Sequence, residues 1–204
     1  MQFYHDFITQ KSFEYLQKLK NKFQFILIGG WAVFLYTKSL KSKDIDIIVD
    51  YENLAKMKEA GEIRKNNRLK KYEVSEGNFD IDIYVPYYSE LGMPIEEIQK
   101  NSKNKEGFTA PEPEILLLLK LYAWHNRRGS AKGQKDELDI FSLALLSEFD
   151  WRKYAGFVEK YDFSELNKEF KNLLKATRRI KDLNINEQKM AKSKKRILEK
   201  ISYS

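Results

Sequence analysis

The chain has no cysteine among its 204 residues. Disulfides, thiolate metal sites and cysteine nucleophiles are therefore excluded, and the composition fits a reducing cytoplasm. Histidine is almost as scarce. His5 and His125 are the only two, which argues against a His-rich metal site or a His-based proton relay. Long apolar runs are missing as well. Ile115–Leu119 is an uninterrupted run of only five, and the apolar stretch Phe25–Tyr36 contains two glycines. Neither approaches the roughly 20 residues needed to span a bilayer. The opening MQFYHDFITQKSFEYLQKLK lacks the apolar core of a signal peptide. The expectation is a soluble cytoplasmic protein with no membrane partner.

What is present is a globular composition: 42% hydrophobic and 33% charged, with 13 Phe and 12 Tyr as bulky core material. The net charge of +7 is unevenly placed. Residues 1–150 hold 22 Lys+Arg against 23 Asp+Glu, and residues 151–204 hold 15 against 7. The whole positive excess therefore lies in the last quarter of the chain. That pattern suits a solvated helical surface, or a patch for a polyanion such as RNA.

Hydrophobic periodicity divides the chain into an α/β half and a helical half. Residues 11–22 read as an amphipathic helix. Phe23–Ile28 reads as a strand, Gly29-Gly30 as a break, and Trp31–Tyr36 as a helix. Asp44–Asp50 forms the next strand, 52–66 a helix, 70–76 a short strand, and Phe79–Val85 a strand stopped by Pro86. Pro111 and Pro113 open a helix whose body, Ile115–His125, is apolar on most faces. A basic loop (127–135) precedes a helix over Asp136–Ser147, and 151–204 is helical and Lys-rich.

Three pieces carry chemistry together. Gly29-Gly30 joins a strand to a helix, where bare backbone lets N–H groups approach an anion; a tight turn explains the pair equally well. Asp44-Ile-Asp46 places two carboxylates on one face of a strand. Unpaired, they would raise each other's pKa, and a divalent cation removes the conflict. Asp80-Ile-Asp82 repeats the spacing on a later strand. Asp82, followed by the apolar Ile83-Tyr-Val85, is the better third carboxylate of the two.

A Gly-Gly turn after a strand, D-x-D on the next strand and a third Asp on a later one resemble the nucleotidyltransferase superfamily that includes DNA polymerase beta. The Gly29–Ala32 form (Gly-Gly-Trp-Ala) resembles the branch containing AbiEii-type toxins and related bacterial and archaeal nucleotidyltransferases. Two departures stand out. The widespread Gly-Ser is Gly29-Gly30 here. The basic residue and Ser/Thr before D-x-D are matched approximately by Ser42, flanked by Lys41 and Lys43, without the usual Arg. In the second half, Lys120 within Pro113–Ala123, then Arg127, Lys135-Asp136 and Asp139, resemble the branch's helical segment. Read residue by residue, Asp136 also fits a helix N-cap, and Asp139 a salt bridge to Arg127 or Lys135.

The resemblance implies an α+β fold: a nucleotidyltransferase-type mixed β-sheet flanked by helices, followed by a helical C-terminal region. It divides the chain into a catalytic domain (1–110) and a helical region (111–204) that completes the active site. The implied activity is Mg2+-dependent transfer of an NMP from an NTP, ATP among them, to an acceptor such as RNA or protein, with release of pyrophosphate. Two Mg2+ ions, or Mn2+, would be held by Asp44, Asp46 and Asp82. Gly29, Gly30, Ser42, Lys120 and Lys135 would contact the nucleotide. The basic C-terminal helices are the candidate RNA surface. The AbiEii likeness also implies a toxin with the same chemistry and an antitoxin partner; a non-catalytic nucleotide- or RNA-binding module is the other alternative.

Overall fold

The computed structural model describes residues 2–202, with side chains for residues 6–201; the His5 side chain lies outside that range. The chain forms two compact units, residues 1–112 and 113–204.

The first unit is built on a five-stranded mixed sheet. Its strands are β1 (Ile26–Ile28), β2 (Ile45–Ile48), β3 (Arg64–Asn66), β4 (Lys71–Ser75) and β5 (Asp80–Tyr84), in spatial order β1-β2-β5-β4-β3. β2 and β5 are parallel, and every other neighbouring pair is antiparallel. Side chains alternate between the two faces of a strand, so register decides what each face carries. One row runs Leu27–Ile47–Ile83–Tyr72–Lys65 across all five strands. Its first four members are buried and only Lys65, at the sheet edge, is exposed. The next row, on the opposite face, runs Ile28–Asp46–Asp82–Glu73–Arg64. The apolar row is core and the acidic row is a polar floor.

Helices α1 (Gln2–Lys20), α2 (Gly29–Thr37), α3 (Tyr51–Ala60) and α4 (Ile95–Lys100) complete the unit with a hairpin of β6 (Ser102–Lys105) and β7 (Phe108–Pro111). The first helix is tied to the second by the Trp31 indole N–H, which donates to Ser12 Oγ at 3.0 Å; Trp31 is 2% exposed. Satisfying that buried donor lets a large aromatic ring sit in the core without a desolvation penalty. α3 starts on Asp50, whose carboxylate accepts the Asn53 N–H. This cap holds the Asp50 carboxyl below its ordinary range.

Two expectations need correction here, and one strand pair was not anticipated. The helix read over 52–66 ends at Ala60, because Gly61 leaves helical geometry, and 64–66 becomes the edge strand β3. The β6–β7 hairpin is an additional pair of strands that charged residues at 102–106 disguise as loop. The helix read from Asp136 begins five residues earlier, at Ala131, because Ser130 caps it by accepting the Gly133 N–H at 3.0 Å.

The second unit is helical: α5 (Pro113–Arg127), α6 (Ala131–Ala144), α7 (Trp151–Lys160), α8 (Ser164–Ala176) and α9 (Glu187–Ser202). Its centre is an aromatic cluster in which Trp151 stacks on Phe170 at 6.3 Å, with Phe149 and Tyr154 against them. The Lys-rich end is an amphipathic helix, α9, that buries Met190, Ile197 and Ile201 and turns Lys192, Lys195 and Arg196 to solvent. Among the described residues, no helix is long and apolar enough to cross a membrane.

Candidate active site

The acidic row gives the first unit its chemistry. Asp46 on β2 and Asp82 on β5 are directly opposite each other in the parallel register. The antiparallel register with β1 then sets Ile28 opposite Asp46, so Gly29, the next residue, stands at the end of β1 beside that carboxylate. Gly29 has φ +67°, a conformation that favours glycine. A Cβ built there would lie 2.6 Å from Asp46 Cγ and 2.7 Å from Asp46 Cβ. The glycine is thus required twice, for the turn and for the space Asp46 occupies. α2 begins at Gly29 itself, with Ile28 at the cap position and no side-chain cap on its first N–H groups. Uncapped amides at a helix N-terminus bind anions readily.

Asp82 carries the most informative electrostatics. Its carboxyl is pushed up to about 6, first by burial and then by the nearby negative charge of Asp46, with Lys71 opposing both. Lys71 on β4 places its ammonium 2.6 Å from Asp82 Oδ2 and 3.0 Å from Glu73. The lysine is only 8% exposed. A lysine so buried is costly unless anions meet it, and these two do.

Each residue singled out in the sequence can now be placed. Asp44 lies just before β2, and its Oδ1 accepts the backbone N–H of Asp80 at 3.2 Å. Asp80 is exposed and its backbone supports Asp44, while Asp82 faces Asp46. Gly30 is buried in the first turn of α2, and Ser42 is buried in the loop leading to β2. Lys120 and Lys135 belong to the second unit. Lys120 is 8% exposed on α5 and pairs with Asp139 at 2.7 Å and Asp136 at 3.3 Å. Arg127 joins them, its Nη2 donating to Asp136 Oδ1 at 2.8 Å. The Lys120 ammonium is therefore met by two accepting carboxylates, and Asp136 is a buried ion-pair partner, while Ser130 caps α6. Asp139 pairs with Lys120. Lys135 is half-buried on the first turns of α6, where it lines an open cavity of about 560 Å³ together with Leu138, Phe141, Arg179 and Lys181. His125 Nδ1 is 2.8 Å from Glu169 Oε2, a surface pair.

The sequence reading missed Lys71 and Glu73. Their i, i+2 spacing puts them on one face of a strand, but only the β4–β5 pairing brings that face onto Asp82.

The donor set suits a hard divalent cation. Asp46 and Asp82 are neighbouring carboxylates whose mutual repulsion a cation would relieve, and the missing side chain of Gly29 gives Asp46 the space it occupies. Among the described residues, no group of three or more acidic or imidazole side chains is gathered closely enough to hold a metal. The fit is thus to the Asp46–Asp82 pair, with Asp44 turned to the Asp80 amide.

These features define an α+β protein with a mixed sheet, an acidic strand pair and a glycine-opened helix. Two solved structures have a similar fold over nearly the whole chain. One is that of JHP933 from Helicobacter pylori: TM-score 0.53, 16% identity, covering 96% of this chain and 92% of that one. The other is a nucleotidyltransferase from H. pylori: TM-score 0.53, 16% identity, covering 96% of this chain and 94% of that one. The fold is therefore the nucleotidyltransferase fold. Neither a protein-family model nor a curated protein sequence matches the chain.

Proposed function

We propose that this chain is a Mg2+-dependent nucleotidyltransferase, transferring an NMP from an NTP to an acceptor and releasing pyrophosphate. The observation that carries the reading is the pairing of Asp46 with Asp82 beside the bare Cα of Gly29. In the reaction, an acceptor oxygen attacks the α-phosphorus, the bond to the bridging oxygen breaks, and pyrophosphate leaves. The first amides of α2, entered through Gly29 and Gly30, hold phosphate oxygens. Asp82 takes the acceptor's proton. Lys71 occupies its Oδ2, so Oδ1 is the accepting atom, and a carboxyl poised at about 6 is ionised at neutral pH yet basic enough to assist.

Asp46 and Asp82 would hold the cation, joined by Asp44 once its Oδ1 leaves the Asp80 amide. When bound, Mg2+, or Mn2+ in its place, would neutralise charge on the phosphates and favour the ionised acceptor. Ser42 and Lys135 are the proposal's further phosphate ligands. Lys120 is included with them, on condition that it releases one of its two carboxylates. RNA is the acceptor class favoured by the exposed cations of α9, which would bind phosphates in a salt-sensitive way.

The deciding experiment incubates the full chain with each α-phosphate-labelled NTP, Mg2+ and total cellular RNA or lysate. The expected result is label transfer that Asp46→Asn and Asp82→Asn each abolish. Transfer that survives either substitution overturns the reading. Loss of salt-sensitive RNA affinity on deleting Lys189–Lys200 would assign part of the acceptor surface to α9.

A further inference from the structure

The acidic row ends at the sheet edge in a cation. Arg64 on β3 continues the line Asp46–Asp82–Glu73, two strands beyond Asp82 and so about 10 Å away at roughly 4.8 Å per strand. The hairpin that carries it is strongly basic: residues 61–72 contain Arg64, Lys65, Arg68, Lys70 and Lys71 against the single acid Glu62. Arg64 and Glu62 are 3.4 Å apart but about four-fifths exposed, so their pairing is weak. Among the described residues, no carboxylate lies within ion-pair distance of Lys65, Arg68 or Lys70. Two of these cations rest on an aromatic ring instead: Lys65 lies 4.5 Å and Lys70 5.7 Å from the Tyr88 ring.

Beside this hairpin stands an exposed tyrosine. Tyr87 is 94% exposed and sits at φ +61°, an uncommon conformation for a bulky side chain. Its turn is braced, because the Ser89 N–H donates to the Val85 carbonyl and the Val85 N–H to Ser89 Oγ. The next residue, Tyr88, fixes the turn to the hairpin by donating to the Asn66 carbonyl and lying 3.1 Å from Asn67 Oδ1. An almost fully exposed ring on a strained, hydrogen-bonded turn beside weakly compensated cations is a combination suited to single-stranded nucleic acid: phosphates meet the charge and a base stacks on the ring. Edge-strand cations also discourage sheet-to-sheet pairing, but that role requires no exposed tyrosine.

We infer that the β3–β4 hairpin and Tyr87 form a docking surface for a single-stranded polynucleotide, with Arg64, Arg68 and Lys70 on its phosphates and Tyr87 against a base. This rests on the proposed function only in making that strand the acceptor. Arg64 lies on the acidic face, while Lys65 and Lys70 lie against Tyr88, whose ring meets Tyr72 of the opposite row, so the docked strand would cross the sheet edge two strands from Asp82.

The test measures fluorescence anisotropy of labelled 20-nucleotide RNA and DNA of one sequence. It uses the full chain in EDTA without NTP, so binding is read apart from transfer. Binding of either oligomer by the wild type is expected. R64Q/R68Q/K70Q should weaken it at least tenfold and flatten the slope of log affinity against log salt by about 2, from roughly 0.7 per phosphate contact. Single substitutions should each flatten it by about 0.7 and decide the matter if the triple variant misfolds. Tyr87→Ala should weaken binding about tenfold at unchanged slope. Failure of the wild type to bind either oligomer, wild-type affinity and slope in the arginine and lysine variants, or unchanged affinity in Tyr87→Ala overturns the inference. Loss of label transfer with these binding effects intact sinks the catalytic reading and leaves this one standing.

Discussion

Asp46 and Asp82 face each other across the parallel β2–β5 junction, and the charge of the first helps hold the carboxyl of the second near 6. Parallel register does this without any turn or loop: residues in step on neighbouring strands share a face. Two acids in step would repel, and the fold keeps them because Lys71 lies on the far side of Asp82.

The pH dependence follows from the sign of that shift. Below pH 6 the Asp82 carboxyl holds a proton and cannot accept another. Transfer should therefore fall at acid pH as the Asp46–Asp82 pair takes up its proton, with the midpoint below the metal-free value of about 6, because a cation held by the same carboxylates favours their ionised form. Stability runs the other way. A carboxyl whose folded pKa exceeds its unfolded one adds no penalty below about pH 4 and its full penalty, roughly 3 kcal/mol, above pH 6. Urea unfolding of wild type and Asp82→Asn between pH 4 and 7 should show a gap that moves in favour of the variant as pH rises. A pH-independent gap contradicts the raised pKa.

Gly29→Ala tests the close approach. The new methyl would meet Asp46 and demand a left-handed conformation that costs an alanine about 1–2 kcal/mol. A lowered Tm is expected together with at least a hundredfold loss of transfer, because Asp46 must shift. Gly77→Ala is the control: it also has positive φ, at +75°, but an added Cβ would touch nothing within 4 Å. It should lower Tm slightly and leave transfer intact.

Lys71→Met removes the ammonium that pairs with Asp82 and leaves Asp82, Glu73 and Asp46 in one row. Breaking a buried pair on one side costs about 3 kcal/mol or more. The acid limb of the pH–rate profile should also move upward by about one unit, since Lys71 opposes the raised pKa. Lys71→Arg keeps the charge and should restore most of the limb's position. A limb that does not move in Lys71→Met would mean that Asp82 is not the titrating group.

The sequence made the acidic strands legible because D-x-D in an apolar run can be read by alternation alone. Asp46 and Asp82 were visible in this way, and so was the glycine pair that opens α2, whereas Asp44, read on the strand beside Asp46, lies just before β2 and accepts the Asp80 amide. Which residues stand beside them was not visible, because pairing partners are set by topology. Glu73 opposes Asp82 only because β4 folds back antiparallel onto β5, and nothing local to 71–75 announces that. Edge strand β3 read as helix for a related reason. Its pattern, Arg64-Lys65-Asn66, has no buried face to alternate, since an edge strand at the rim packs on one side at most. In the helical half, Lys120 could be recognised as needing an anion. The anion's identity depended on where α6 begins, and Ser130 rather than Asp136 starts it. That shift of one turn frees Asp136 and Asp139 to face α5.

The cluster of Lys120, Arg127, Asp136 and Asp139 gives the last test. Asp136 and Asp139 are each 1% exposed, and Asp136 answers two cations. Asp136→Ala removes one carboxylate from Lys120 and the bidentate contact from Arg127, which should cost about 3–5 kcal/mol. Differential scanning calorimetry should show the loss in the transition of the helical unit. Lys120→Met separates two roles for the same lysine. If Lys120 serves the fold through its carboxylates, the variant lowers Tm and leaves the KM for NTP unchanged in the protein that remains folded. If it also reaches the nucleotide, KM rises at temperatures well below the transition, and Lys120→Arg restores the stability more fully than the KM.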